Sequence, residues 1–419
     1  GLAVNSTGAT TFVNTVDAAS VTTNTGGTVV IQGGRVTTSG AQTYNDDVLL
    51  DNAAARTTSL NTTNAAVMLG GKLNNNTANA EALTINAGSG AVTFTGAVGD
   101  AVGVNNGSMG GLAVNSTGAT TFVNTVDAAS LTTNVGGTVV IQGGRVTTSG
   151  AQTYNDDVLL DNAAARTTTL NTTNAAVMLG GKLNNNTTAA EALTINAGNG
   201  AVTFTGAVGD AVATNNGPLG ALAVNSTGAT TFVSTVDAAN VTTNTGGTVV
   251  IQGGRVTTTG AQHYAELVTL SANTTLTASA VRFDDAVTGA GSLHVVGATT
   301  FNGGTVTTHG AQTYSGAATL LKNTVLDADA ARVSFLDTLD GGYDLAVNTS
   351  GTTSFAGAVG ASTPLSSLVT NAGGMVLIDT PTVRTSGAQT FNEMVSLQSG
   401  TTFTGSVVTF NDAVMGAGD

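Results

Sequence analysis

The stretch GGRVTTSGAQTYNDDV, residues 33–48, indicates the fold because it is repeated several times along the sequence. It recurs unchanged at 143–158 and, as GGRVTTTGAQHY, at 253–264. Looser copies are GGTVTTHGAQTY at 303–314 and PTVRTSGAQTF at 381–391. Each copy has a short run rich in Val and Thr, a glycine corner and a second run with one aromatic residue. Such a unit is most simply interpreted as part of a coil of short strands, one turn stacked on the next.

A larger repeat contains this stretch. Residues 1–110 return at 111–220 with ten differences and no insertion, and a partial third copy covers 221–262. Residues 263–419 then continue as divergent turns. Strand-rich pieces of about 22 residues recur inside the large repeat, which is a typical length for one solenoid turn. We therefore predict a single continuous solenoid over 1–419.

The local sequence favours strands over helices. Gly, Thr and Asn recur too often to sustain helical turns, while glycines fall where strands should end. Asparagines sit beside these corners, and stacked turns would let their amides bond along a column. These asparagines are Asn5, Asn14, Asn24, Asn45 and Asn86.

The spacing of the strands limits the architecture. Runs of four to six residues with short corners leave no room for crossover helices, which excludes a βαβ sheet. A sandwich or barrel would not repeat without a length limit, whereas a parallel coil does. We predict an all-β parallel β-helix of roughly 19 turns.

Composition supports a narrow interior and excludes several functions. The chain has 56 Gly, 9% charged residues, 4% aromatic residues, no Trp and no Cys. The lack of Cys removes disulfides and thiolate sites, as in many exported proteins, although a cytosolic protein could also lack Cys. A net charge of −14 without a basic cluster argues against nucleic acid and against anionic membranes. No apolar run is long enough to span a bilayer, so we expect no membrane insertion.

The Thr/Asn/Gly-rich repeats of the types GAQTYND, GAVTFTG and LAVNSTGATTF resemble the repeat regions of filamentous-haemagglutinin-like bacterial surface proteins. The resemblance covers most of the chain and lies in repeat style. It implies a right-handed parallel β-helix, export to the cell surface, and a role in adhesion or extracellular structure.

Three acidic pairs are the candidate metal ligands. Calcium binds six to eight oxygen ligands, but neither an EF-hand nor a GGxGxD repeat occurs. We interpret the pairs as solvated acidic corners and expect no cofactor, with calcium as the alternative. The pairs are Asp46 with Asp47, Asp156 with Asp157, and Asp284 with Asp285.

The few histidines and arginines are interpreted as surface residues. His263 replaces Thr43 and Thr153 of the equivalent corner, and we place no metal ligand at it, at His294 or at His309. Arginines recur at matching positions, and we expect salt bridges with nearby aspartates, with an acidic ligand as the alternative. They are Arg35, Arg56, Arg145, Arg166, Arg255, Arg282 and Arg332.

Phenylalanines recur in TTF, TxF and TSF contexts. Because most are flanked by Thr, which suits an outer face, we predict that they fill the core; a stripe for sugar stacking is the alternative. They are Phe12, Phe94, Phe122, Phe204, Phe232, Phe301 and Phe355. Irregular Thr spacing argues against an ice-binding face, and the lack of a basic cluster argues against a polysaccharide lyase.

These observations predict a non-catalytic extracellular structural or adhesive element of a bacterial surface adhesin or fibre. Its expected partners are other copies of itself, by end-to-end or lateral association, and glycans or proteins of a host, cell surface or matrix. Neither terminus shows a capping element, so we expect 1–419 to be a segment of a longer rod or a subunit of a head-to-tail fibre. The alternatives are a self-assembling filament and a carbohydrate-binding or carbohydrate-cleaving β-helix.

Overall fold

The computed structural model describes residues 1–52, 57–77, 79–100, 109–162, 167–187, 189–210 and 217–416. Within these ranges the regular structure is all β, and the paired strands run parallel in stacked coils. The predicted parallel β-solenoid is confirmed, with about 20 turns.

Contacts divide the chain into two compact units, Gly1–Gly228 and Ala229–Asp419. Each unit is described by itself below. The continuity of the solenoid over 1–419 therefore stays a prediction.

Short strands follow one another along the first unit. They are β1 Leu2–Val4, β2 Ala9–Phe12, β3 Val16–Ala18, β4 Val21–Thr23, β5 Thr28–Ile31, β6 Arg35–Thr38, β7 Gln42–Tyr44, β8 Asp47–Leu50, β9 Thr57–Thr62, β10 Val67–Leu69, β11 Leu73–Asn75, β12 Ala82–Gly88, β13 Val92–Phe94, β14 Met109–Ser116, β15 Ala119–Phe122, β16 Val126–Thr133, β17 Thr138–Ile141, β18 Arg145–Thr148, β19 Gln152–Tyr154, β20 Asp157–Leu160, β21 Thr167–Thr172, β22 Val177–Leu179, β23 Leu183–Asn185, β24 Ala192–Gly198, β25 Val202–Phe204 and β26 Leu219–Ser226.

The second unit is built in the same way. Its strands are β27 Ala229–Phe232, β28 Val236–Thr243, β29 Thr248–Ile251, β30 Arg255–Thr258, β31 Ala261–Tyr264, β32 Leu267–Leu270, β33 Thr274–Phe283, β34 Val287–Gly289, β35 Leu293–Phe301, β36 Thr305–Thr308, β37 Gln312–Tyr314, β38 Ala318–Leu320, β39 Thr324–Asp327, β40 Val333–Phe335, β41 Leu339–Asp340, β42 Asp344–Asn348, β43 Thr352–Phe355, β44 Ser367–Thr370, β45 Met375–Ile378, β46 Thr382–Arg384, β47 Ala388–Phe391, β48 Met394–Leu397, β49 Thr402–Thr404, β50 Val407–Phe410 and β51 Val414–Gly416.

Strand partners in the first unit form three columns, and each turn passes through all three. Column I contains, in stacking order, Leu2, Val21, Gln42, Val67, Val92, Thr120, Val139, Val158 and Leu183. Column II contains Thr10, Val29, Val48, Leu73, Val98, Val126, Val146, Leu170, Ile195 and Val224. Column III contains Val16, Val36, Leu60, Ile85, Val114 and Thr133.

Turn length differs from the uniform spacing that the sequence suggested. The first turn of column I runs only from Leu2 to Val21, whereas a later one runs from Val92 to Thr120. The strands of these turns nevertheless pair in parallel with those of the next turn.

The large repeat, residues 1–110, does not contain a whole number of turns. Starting from Leu2, the chain returns to column I four times, last at Val92, and then passes Val98 in column II and Leu112 in column III. The second copy therefore begins two strands into a fifth turn. As a result, the equivalent strands that contain Val4, Val114 and Val224 lie in columns I, III and II.

Side chains alternate between the interior and solvent along most strands, as in β5, where Val29 and Ile31 are buried. The phenylalanines predicted for the core are buried, except that Phe12 is half-buried. Aromatic rings of successive turns stack on one another, with ring centres 5.0 Å apart for Phe94 and Phe122 and 5.7 Å apart for Phe335 and Phe355. This confirms the core interpretation.

The GAQ motif forms a polar clamp inside each unit. Gln42 is fully buried, and its Nε2 donates to the Val36 carbonyl at 3.2 Å and to the Asn61 carbonyl of the next turn at 2.9 Å. The Tyr44 hydroxyl donates to Gln42 Oε1 at 2.9 Å. The clamp ties one turn to the next and satisfies a buried amide. The same bonds are made by Gln152 with Tyr154, Gln262 with Tyr264 and Gln312 with Tyr314.

The glycine that opens the stretch is required by close packing between turns. A Cβ atom on Gly33 would lie 2.1 Å from the backbone carbonyl carbon of Asn14 in the turn before. Gly143 meets Asn124 in the same way at 2.1 Å, which explains why the copies keep this residue.

Candidate functional site

An amide ladder lies on the outer face of column III in the first unit. Asn115 Nδ2 donates to Asn86 Oδ1 at 2.8 Å, and Asn86 Nδ2 donates to Asn61 Oδ1 at 2.7 Å. Asn61 then reaches Thr37 Oγ1 at 3.4 Å. The predicted bonding of Asn86 along a column is thus confirmed, and the bonds all point in one direction along the stack.

An arginine lies at the end of this ladder that is nearest the N-terminus, which we call its foot. Arg35 donates to Thr37 Oγ1 at 3.1 Å and to Asp17 Oδ2 at 3.2 Å. The ladder surface, which we define as Asp17, Arg35, Thr37, Asn61, Asn86 and Asn115, is therefore polar and carries one ion pair at one end.

A second copy of this surface occurs in the second copy of the large repeat, with stronger contacts at its foot. Asn225 donates to Asn196 at 2.7 Å, and Asn196 donates to Asn171 at 2.8 Å. Arg145 binds Asp127 through two nitrogens, at 2.7 and 2.8 Å. Because of the incomplete turn in the repeat, this copy lies on column II.

Only the foot of the ladder is present in the second unit. Arg255 binds Asp237 at 2.7 Å through two nitrogens and also donates to Thr257. The next positions in register are Thr277 and Val296 in place of asparagines. The surface therefore changes where the third copy diverges.

An open groove adjoins the foot of the second ladder. Asp127 and Thr147 line it together with Met109, Thr148 and Thr173. Met109 and Thr148 are buried there, and the Asp127 carboxylate is bound by Arg145.

The acidic pairs are used within the fold. Asp46 is 2% exposed and accepts from the Gly27 amide at 2.7 Å, although the sequence suggested a solvated corner. Asp156 repeats this contact with Gly137. The second member of each pair is exposed and accepts from an amide one turn later: Asp47 from Lys72 and Asp157 from Lys182, each at 2.8 Å. The two members point to opposite sides, as expected for neighbours in an extended chain.

Asp284 is the centre of a surface network in the second unit. It accepts from Arg282 Nε at 2.6 Å and from Asn302 Nδ2 at 2.9 Å, and it lies 2.6 Å from His263 Nε2. Burial alone raises the pKa of Asp284, but these three partners lower it to about 2. Asp285 accepts from the amide of Ala286 at 2.7 Å.

Among the residues that the structure describes, no group of three or more His, Cys, Asp or Glu side chains is arranged to hold a metal ion. Calcium binding by the acidic pairs stays an untested alternative.

Two histidine contacts were missed from the sequence. His309 Nδ1 lies 2.5 Å from Asp329 Oδ2, and His263 meets Asp284, although no carboxylate was expected near them. The partners are 20 and 21 residues away, which is one turn of the second unit. Once the register of the columns is known, it places each of these two histidines beside its aspartate. His294 contacts the Ser315 hydroxyl at 2.9 Å.

The expected salt bridges are confirmed for four of the arginines but not for Arg332, which makes no ion pair with a described residue. Arg35, Arg145, Arg255 and Arg282 each pair with an aspartate. Hydrogen bonding to Asp127 is the main reason that the pKa of Arg145 is raised. Arg332 is exposed, whereas Arg56 and Arg166 lie outside the described residues.

The chain matches no protein-family model, no curated protein and no solved structure. A search of the described residues for a helix long and apolar enough to cross a membrane found none.

Proposed function

We propose that this chain is a non-catalytic structural and adhesive segment of a filamentous-haemagglutinin-like bacterial surface protein, located outside the cell. The observation that carries the proposal is the repeated ladder surface of Asn, Thr and one Arg–Asp pair. Its amides retain outward hydrogen-bonding capacity, because Asn86 and Asn196 each use one donor and one acceptor within the ladder.

The chemistry of the ladder suits glycans or polar protein loops. Such contacts are individually weak, and repetition along a stack strengthens them through effective concentration. Two ladder surfaces on different columns let the first unit contact partners from more than one side. Lateral association with further copies of the chain follows from the same geometry.

The internal use of ionisable groups supports a non-catalytic role. Asp46, Asp156 and Asp284 accept hydrogen bonds from the protein itself, and Arg145 and Arg255 are held in bidentate pairs. A catalytic acid or base needs a free approach to its substrate. We therefore assign these groups to the architecture.

The test is binding of the purified chain to a glycan array and to cultured cells. A variant carrying N61A, N86A, N171A and N196A should lose at least about tenfold in avidity, because both ladders are interrupted. The matched control carries T22A, T43A, T93A and T121A on the outer face of column I and should bind like the wild type. Absence of binding by the wild type, or equal losses in both variants, contradicts the proposal.

A further inference from the structure

The glutamates of this chain have an unusual location. The sequence contains four, and all are buried: Glu81 and Glu191 are 0% exposed, and Glu266 and Glu393 are 1% exposed. Glutamate is rarely buried without a partner, because removing its charge from water is costly. Their positions therefore call for a specific role.

Two of these glutamates belong to a recurring corner. Glu266 and Glu393 stand two residues after an aromatic residue of the GAQ stretch, where Asp46 and Asp156 stand in the first unit. The corner faced by each acid has the form T-N-x-G-G, one turn earlier. These corners are residues 23–27, 133–137, 243–247 and 370–374.

The acidic residue after the GAQ stretch and the T-N-x-G-G corner occur together in the sequence. The remaining GAQ copy, at 310–314, continues with Ser315 and Gly316, and no acid follows its tyrosine. The preceding turn at that point is Val295, Val296 and Gly297, without the T-N-x-G-G corner. The chain thus keeps the carboxyl group only where there is a glycine corner to receive it.

Aspartate and glutamate meet the corner differently. Asp46 and Asp156 each accept from the second glycine of the corner at 2.7 Å. Glu266 faces the Gly247 amide and the Thr243 hydroxyl, but neither of its carboxyl oxygens completes a well-formed hydrogen bond with the described residues. The longer side chain places the carboxyl group in the same buried space without the bond that would stabilise its charge.

Glu393 behaves as Glu266 does. It faces Gly374 and Thr370, again without a completed bond from a described residue to either oxygen. Burial raises the pKa of both glutamates to about 7, and the nearby amide and hydroxyl only partly oppose this. Both carboxyl groups therefore gain or lose a proton near neutral pH.

Few other titratable groups surround these sites. The corner before Glu266 contains none, and the preceding strand β31 contributes His263 and Tyr264. The register places Asp285 beside Glu266 in the next turn. The corner before Glu393 also contains none, and Asp412 occupies the matching position in the next turn. Asp285 and Asp412 each accept from the amide of the residue that follows them.

We propose that Glu266 and Glu393 are proton-controlled latches of the second unit. In their neutral form the carboxyl groups remain buried beside the glycine corners 243–247 and 370–374, and loss of their protons favours opening of those corners, because a buried charge without a completed hydrogen bond is costly. The aspartate corners of the first unit have the complete hydrogen bond from their second glycine, and burial also raises the pKa of Asp156.

The direction of the effect follows from the pKa. An ordinary glutamate in the unfolded chain has a pKa of 4.5, and the folded value is about 7. The folded state therefore binds more protons than the unfolded state between these values, so stability is greatest at the acid end and falls as the pH rises through about 7. Asp284, whose pKa is lowered to about 2, acts in the opposite sense and only in stronger acid.

Amide hydrogen exchange of the whole chain at about pH 5 and about pH 8, corrected for intrinsic rates, tests the proposal. Protection of 243–247 and 370–374 should fall by at least about tenfold at the higher pH. E266Q with E393Q should abolish the change, because glutamine is neutral throughout. E266D with E393D should also reduce it, by restoring the Asp46 type of bond.

Equal protection of the two corners at both pH values in the wild type would overturn the latch. A pH response that persists in the glutamine variant would also overturn it. Should the glutamine variant fail to fold, the aspartate variant decides, since an unchanged response there contradicts the assignment of the response to glutamates that lack the corner hydrogen bond.

Discussion

At the scale of single residues, one copy of the Gln–Tyr clamp is incomplete. Gln389 Nε2 makes the usual bonds, to Val383 and Thr404, but phenylalanine occupies position 391 where other copies have tyrosine. Gln389 Oε1 consequently has no hydrogen-bond partner among the described residues, although it is buried. An unsatisfied buried acceptor is destabilising.

Restoring the missing hydroxyl should stabilise the second unit. We expect F391Y to raise the free energy of unfolding by about 1 kcal/mol, because the new hydroxyl can donate to Gln389 Oε1 as Tyr314 does to Gln312. Urea denaturation measures the change. Y314F, which removes the equivalent bond, is the matched control and should cost a similar amount. A stability of F391Y equal to or below the wild type would contradict this interpretation of the clamp.

Residue-scale features were predictable from the sequence only where side-chain alternation determines them. The burial of Phe94 and Phe122 follows from the period of two, which any parallel stack preserves. The burial of Asp46 does not, because it depends on a glycine amide 19 residues earlier. Such contacts can be placed only when the length of each turn is known, and turn length changes along the first unit.

At the scale of strands and their ladders, the middle of the amide ladder matters more than its end. Asn86 makes two ladder bonds: it donates to Asn61 and accepts from Asn115. Asn115 makes one, because it only donates to Asn86. We expect N86A to destabilise the first unit by about 1–2 kcal/mol and N115A by about half as much. Urea denaturation of the two variants provides the comparison. Equal effects would show that the ladder bonds contribute little, and the strand ladder alone would then account for stacking.

The ladder also shows what strand-level reasoning can predict. The sequence suggested that asparagines bond along columns, and β9, β12 and β14 do so. It did not show where one ladder ends, because that depends on the column each strand occupies. Asn24 and Asn45 also bond to the turn before, but their partners are backbone groups: Asn24 accepts from the Ser6 amide, and Asn45 donates to the Thr23 carbonyl.

At the scale of the whole molecule, the period of the sequence and the period of the structure differ. The large repeat shifts each copy by two strand positions in the first unit, so identical segments occupy different columns. A uniform turn of about 22 residues, as the sequence suggested, would have placed every copy on the same face. The shift distributes one surface around the solenoid, which suits contacts from several sides.

The fold itself was predictable because its cause is repeated many times. Each turn repeats short strands, glycine corners and small apolar side chains that fill a narrow core, and every repetition favours the same parallel stack. The register was not predictable, since residues can be added to a corner without altering the pattern of the strands beside it.

Cysteine crosslinking tests the register most directly, because the chain has no Cys of its own. The structure pairs Thr93 with Thr121, whereas a uniform turn of about 22 residues would pair it with Asn115. With a bifunctional thiol-reactive reagent that spans only adjacent strands, T93C with T121C should crosslink within the chain and T93C with N115C should not. Crosslinking of the second pair in place of the first would contradict the winding described here.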